Sequence, residues 1–152
     1  MSTPSISLVG ADATRSTCVC RGVPPTSASS DPSTDLTLSD GEDLLHLRIR
    51  HCARRGVHTG GHIWSCSRHL ACWLYDRRAQ LSGLRVLELA CGLALPSLVA
   101  ARCGAAVTTT DELEPLLEHA VANAHHNACT LSPKRLDFTR RDDVVAIADE
   151  SF

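Results

Sequence analysis

The spacing of apolar residues along this chain changes several times, and each change marks an element. From Leu44 to Arg50 the pattern has a period of two, with Leu45, Leu47 and Ile49 on one face and His46, Arg48 and Arg50 on the other. That alternation predicts a half-buried strand. Gly56 to Gly61 breaks it, and from Trp64 the positions Cys66, Leu70, Trp73 and Leu74 recur at helical spacing, which predicts a helix to about Arg77 with that face buried. Leu84 to Leu89 is apolar in character apart from Arg85 and the carboxylate at Glu88, which is read as a strand covered on both faces. Pro96 then falls in the first turn of a helix over Leu95 to Arg102, and Gly104 ends it. Ala105 to Thr110 reads as the next strand, and Glu114-Pro115 opens a helix that runs to about Asn127. Arg135 to Phe138 reads as a short third strand, and Val144 to Ala148 as a fourth with Asp149 at its tip.

Outside this region the pattern fades. Met1 to Thr34 is rich in Ser, Thr and Pro and has no sustained apolar period, so it is expected to be a disordered tail. The expected organisation is thus a tail over 1–34, a lead-in strand and loop over 35–60, and an α/β unit over 61–152.

Composition narrows the function classes. The chain has 152 residues, of which 43% are hydrophobic, enough for one modest core. A net charge of −2 gives no overall basic field for nucleic acid or anionic lipid. No apolar run approaches the ~20 residues of a membrane span. The expectation is a cytoplasmic or nuclear protein with no direct nucleic-acid or membrane partner. The eight cysteines are scattered through helix-like and strand-like segments, which favours reduced thiols. Cys66, His69 and Cys72 are the nearest approach to a zinc spacing, but no paired Cys-x-x-Cys accompanies them, so no metal site is assigned.

The candidate chemistry lies in the α/β unit. Ligands of an open parallel sheet bind beyond the carboxyl ends of its strands, and Glu88, Asp111, Asp137 and Asp149 all stand at or beside such expected ends. Asp111 follows the turn by about 20 residues, the spacing at which an acid accepts hydrogen bonds from a ribose diol. Gly92 lets the backbone come close to a ligand, and the free N–H groups at the start of the Leu95–Arg102 helix suit a carboxylate. The turn itself, Glu88-Leu89-Ala90-Cys91-Gly92-Leu93-Ala94, keeps one glycine where a dinucleotide fingerprint needs three. A nucleoside without a pyrophosphate fits that turn better.

The turn resembles the acid-x-Gly-x-Gly-x-Gly motif of seven-stranded S-adenosylmethionine methyltransferases, with Ala90 and Ala94 in place of the outer glycines. Gly61-His62-Ile63-Trp64, Leu70-Ala71-Cys72-Trp73-Leu74, Leu95-Pro96-Ser97-Leu98 and Asn123-x-x-x-Asn127 extend the likeness to the lysine-methyltransferase-type family sixteen, most similarly to its methyltransferase-like protein twenty-three branch. The resemblance implies a Rossmann-like fold of which about four parallel strands, the N-terminal half, are present, and a chain that is C-terminally truncated. It implies S-adenosyl-L-methionine as cofactor, held by Trp64, Glu88, Ala90, Gly92, Asp111, Asp137 and Phe138, with Asp149 beside the transferred methyl as the catalytic candidate. It also implies a protein substrate, methylated on lysine or arginine. The alternative is a binding module that holds cofactor or a partner without catalysis. The two alanine substitutions are expected to be mild if both residues keep φ below zero.

Overall fold

The structure is a computed structural model, and it describes residues 5–7, 17–23 and 32–148. Two sheets form, with helices between them. The first is an antiparallel meander of β1 (Ser5–Ser7), β2 (Thr17–Val23), β3 (Ser33–Ser39) and β4 (Leu44–Arg50). The second is parallel, in the order β5 (Arg85–Glu88), β6 (Ala106–Asp111), β7 (Ser132–Arg135). The helices are α1 (Ser65–Asp76), a single turn α2 (Arg78–Leu81), α3 (Leu95–Arg102), α4 (Glu114–His126) and α5 (Arg141–Ala148).

β4 buries Leu45, Leu47 and Ile49 as its alternation predicts, and its partner β3 buries Thr34, Leu36 and Leu38 opposite them. The turn between them is built on Asp40, whose Oδ1 accepts the N–H groups of Glu42 at 3.1 Å and Asp43 at 2.8 Å. Those bonds hold the Asp40 carboxyl down at about 2. Arg78 pairs with Asp40 and Asp43 and so ties the turn to α2. The apolar face of this hairpin shares one core with Ala71, Cys72 and Tyr75 of α1, Leu98 and Val99 of α3, and Leu116 of α4.

The hairpin is also pinned by polar side chains. Asn127 Oδ1 accepts the Arg48 N–H at 2.8 Å while its Nδ2 donates to the Arg48 carbonyl at 2.8 Å. One turn earlier, Asn123 Oδ1 accepts the Arg50 N–H at 2.9 Å and Nδ2 donates to the Arg50 carbonyl at 3.2 Å. Two amides spaced i, i+4 on α4 thus pair with alternate residues of β4 as a neighbouring strand would. Asn123 is fully buried, where an unpaired amide is costly. Pairing with β4 removes that cost.

Several expectations are corrected. Strands β1, β2 and the start of β3 lie where a structureless tail was expected, so the regular backbone begins before Asp35. The run expected as a fourth parallel strand is instead α5, and the described parallel sheet has three strands. A short apolar run has no periodicity that separates strand from helix, and Asp142 and Asp143 in its first turn suit a helix N-terminus. Asp149 lies outside the described residues.

The third strand ends at Arg135, two residues earlier than Asp137. Helix α1 forms where expected but rotated: Ala71, Cys72 and Tyr75 are buried, while Cys66, Leu70 and Trp73 are exposed. Small Ala71 and Cys72 pack toward α3, and the Trp73 indole lies outside, with the Arg77 guanidinium 4.1 Å above its ring. β5 was expected to be covered on both faces, yet Arg85 is exposed and Val86 to Glu88 are half-buried.

Candidate functional site

The turn after β5 is fastened to β6 at three points. Cys91 N–H donates to the Thr110 carbonyl at 2.8 Å, Thr110 Oγ1 donates to the Glu88 carbonyl at 2.8 Å, and Gly92 N–H donates to Asp111 Oδ2 at 3.0 Å. The other oxygen of Asp111, Oδ1, accepts the Leu113 N–H at 3.1 Å and so shapes the entry to α4. Asp111 is 8% exposed and lies at the carboxyl end of the central parallel strand, where this sheet type places ligands.

Opposite this turn runs the segment from Val57 to Trp64. Its closeness is set by glycine: a Cβ on Gly92, whose φ is +53°, would meet the Gly60 carbonyl oxygen at 3.0 Å. A Cβ on Gly60 would meet Leu116 Cδ1 at 2.5 Å, and one on Gly61 would meet the Cys52 carbonyl oxygen at 2.2 Å. The Trp64 indole N–H donates to the Thr59 carbonyl at 3.0 Å, which fixes the ring at the head of α1.

Between the two walls lies a cleft of about 470 Å³, within the range of small-molecule sites. Trp64, Ala90, Gly92 and Asp111 line it, together with Leu95 and Leu116 as apolar floor. These are the predicted residues the fold brings together. Glu112, which the sequence left evenly balanced between ligand binding and solvent, also lines it, as do Thr59, Gly60 and His62, which were missed. The adjacent pair Gly60-Gly61 was the signal for the second wall, since neighbouring glycines mark a close backbone approach as well as a break in pattern.

Three other predicted residues do not line the cleft. Glu88 turns toward α3, where Ser97 donates its N–H to Glu88 Oε2 at 3.1 Å and its hydroxyl to the same oxygen. The helix start expected to take a ligand carboxylate therefore takes one from the protein. Burial pushes the Glu88 carboxyl up to about 7, against the pull of the two Ser97 hydrogen bonds. Asp137 folds into the turn after β7, where its Oδ1 accepts the Thr139 hydroxyl at 2.6 Å and N–H at 2.9 Å. Those bonds hold its carboxyl below the usual range. Phe138 is 65% exposed.

The alanines in the turn also differ from expectation. Ala90 has φ +52° and Ala94 φ +60°, the left-handed region where a methyl is strained. They occupy glycine conformations without being glycine.

Comparison with known proteins agrees with this geometry. The profile described as lysine methyltransferase matches residues 41–148. The histone-arginine methyltransferase METTL23 of Rattus norvegicus is 38% identical over 81 residues, 53% of this chain and 35% of that protein. The protein N-lysine methyltransferase METTL21A of Danio rerio is 43% identical over 65 residues, 43% of this chain and 29% of that protein. The chain spans about a third of the length of these curated relatives. A solved structure from Streptococcus mutans, assigned as a SAM-dependent methyltransferase, superposes with a TM-score of 0.51 at 22% identity, over 68% of this chain and 27% of that one. That likeness shows the fold. With the family match spanning most of the described α/β unit and hairpin, the chain belongs to the lysine methyltransferase family.

Proposed function

We propose that the cleft binds S-adenosyl-L-methionine and serves transfer of its methyl group to a protein side chain. The observation that carries this reading is the buried Asp111 carboxylate lining the cleft beside Gly92. A carboxylate offers about four acceptor positions, and backbone N–H groups use two of those on Asp111. Two remain for the vicinal hydroxyls of a ribose. Gly92 lines the cleft beside this carboxylate, and the Trp64 ring stands on the opposite wall. The residues present therefore fit the cofactor.

When bound, that cofactor supplies a methyl group already activated by its sulfonium. The chain's own part is to orient and to exclude water: Leu95, Leu113 and Leu116 give the cleft an apolar floor, and fixed geometry contributes through proximity. Glu88 acts at one remove, holding the turn against α3 through Ser97. The acceptor is proposed to be a lysine or arginine of a protein, in keeping with the names of the two relatives.

Asp111→Ala is expected to weaken calorimetric binding of S-adenosylhomocysteine by about tenfold or more, the scale of hydrogen bonds to a charged acceptor. Unchanged affinity in a folded variant contradicts the ribose assignment.

A further inference from the structure

Helix α4 uses two opposite faces. Asn123 and Asn127 dock one of them against β4. On the other, Glu114, Leu117, Glu118 and Val121 recur at i, i+3, i+4 and i+7 and so share one side of the helix. With Pro133 and Arg135 of β7 they line a groove of about 440 Å³ that the cofactor reading does not use. Leu117 forms its buried floor, and Val121, 39% exposed, leaves apolar surface open to solvent. Among the described residues β7 pairs with β6 alone, and Pro133 offers no N–H to a further strand. The groove therefore suits recognition by side chains.

Charge decides what fills it. Arg135 is met by Asp143 at 3.5 Å, and Glu118 by Arg54 at 2.6 Å. Glu114 forms no ion pair among the described residues, and neither does Glu112, which lines the cofactor cleft two residues earlier. The uncompensated charge is negative. It also lies at the end of the groove nearest the cleft: Leu113, directly before α4, lines the cleft, and Arg135 is the register partner of Asp111. A cationic segment is attracted there, and an acidic one is repelled.

We propose that this groove docks a segment of the acceptor protein in which a lysine or arginine is followed by an aliphatic residue, the cation at Glu112 and Glu114 and the aliphatic side chain against Leu117, Val121 and Pro133. This rests on the methyltransferase reading and adds to it a surface that selects the acceptor. Glu114 to Val121 is about 10 Å along the helix, a length that roughly three extended residues span. The docked segment therefore flanks the cleft without entering it.

The test is fluorescence anisotropy of a labelled octapeptide, Gly-Lys-Lys-Ala-Leu-Leu-Ala-Gly, titrated with the full chain. Two control peptides carry glutamate for both lysines or serine for both leucines. Cooperative thermal melts show that each variant folds, and calorimetry gives its S-adenosylhomocysteine affinity. The expected result is saturable binding that weakens about tenfold in Glu114→Lys and about fivefold in Val121→Ser, falls as salt is raised, and is lost with either control peptide. Leu44→Ser, at an exposed apolar position on the hairpin, should bind as wild type does, and all three variants should keep the wild-type S-adenosylhomocysteine affinity. Equal peptide binding by wild type, Glu114→Lys and Val121→Ser overturns the proposal, as does equal binding of the glutamate peptide or a matching loss in Leu44→Ser. Sedimentation showing a wild-type dimer that Val121→Ser breaks also overturns it, because a second copy then fills the groove. S-adenosylhomocysteine binding without peptide binding refutes the docking groove alone. Peptide binding in the expected pattern without S-adenosylhomocysteine binding refutes the cofactor reading and leaves the groove standing.

Discussion

The antiparallel hairpin and the parallel unit solve opposite problems. In β3 and β4 alternate residues are buried, all of them apolar except Thr34, and Asp40 in the turn is satisfied by backbone N–H groups and Arg78. Little in it is strained. The parallel unit carries three left-handed alanines, Ala90, Ala94 and Ala128, a buried carboxylate at Asp111 and a second carboxyl, Glu88, pushed up to about 7. Of these, Ala90 and Asp111 line the cleft, and the hairpin, fastened through Asn123 and Asn127, braces that unit.

The largest effect should come from cutting the fastening. Asn123→Ala leaves the Arg50 N–H and carbonyl without their partner inside the protein, at about 1–3 kcal/mol for each unsatisfied group, so a loss of roughly 3 kcal/mol is expected in a denaturant titration. A loss under about 1 kcal/mol would mean that apolar packing alone docks the hairpin.

A smaller effect, of opposite sign, should come from relieving strain. Ala90 and Ala128 are exposed with φ of +52° and +53°. Replacing either by glycine is expected to stabilise by about 0.5–1 kcal/mol, the left-handed penalty less the added entropy of the unfolded chain. Ala94 is fully buried, and the ~0.8 kcal/mol from its methyl offsets most of the relief, so Ala94→Gly should be close to neutral. Thermal melts of the three variants check the order.

The most diagnostic effect is a slope. The Glu88 carboxyl is raised from the ordinary value of 4.5 to about 7 in the fold, so the native state holds a proton that the unfolded chain has released between those values. Stability from this group is therefore full below about 4.5 and is lost as pH rises through about 7. Glu88→Gln removes that slope, and its stability relative to wild type should rise from pH 5 to pH 8. A constant difference would show that Glu88 does not titrate differently in the fold.

What the sequence made legible was local. Pro96 and Pro115 announce helix starts, Gly104 announces an end, and the interval from Gly92 to Asp111 spans one helix and the strand after it, so β5, α3, β6, α4 and the pair at the centre of the cleft could be read directly. What it hid depends on partners far along the chain. The buried face of α1 is set by how closely α3 approaches, which favours Ala71 and Cys72 over the larger Leu70 and Trp73. The bonds of Asn127 to Arg48 span 79 residues, and an i, i+4 pair of asparagines reads equally well as solvated surface. Positive φ at an alanine leaves no trace in composition. The α5 segment failed for a different reason, since five apolar residues fit a strand or a helix.

Amide spectra of the chain titrated with S-adenosylhomocysteine test the central claim most directly. The account predicts saturable shifts at Gly92, at Asp111 to Leu113 and at the Trp64 indole N–H, with the hairpin residues Leu45 to Ile49 unmoved. Spectra that do not change, or shifts confined to the hairpin, would contradict it.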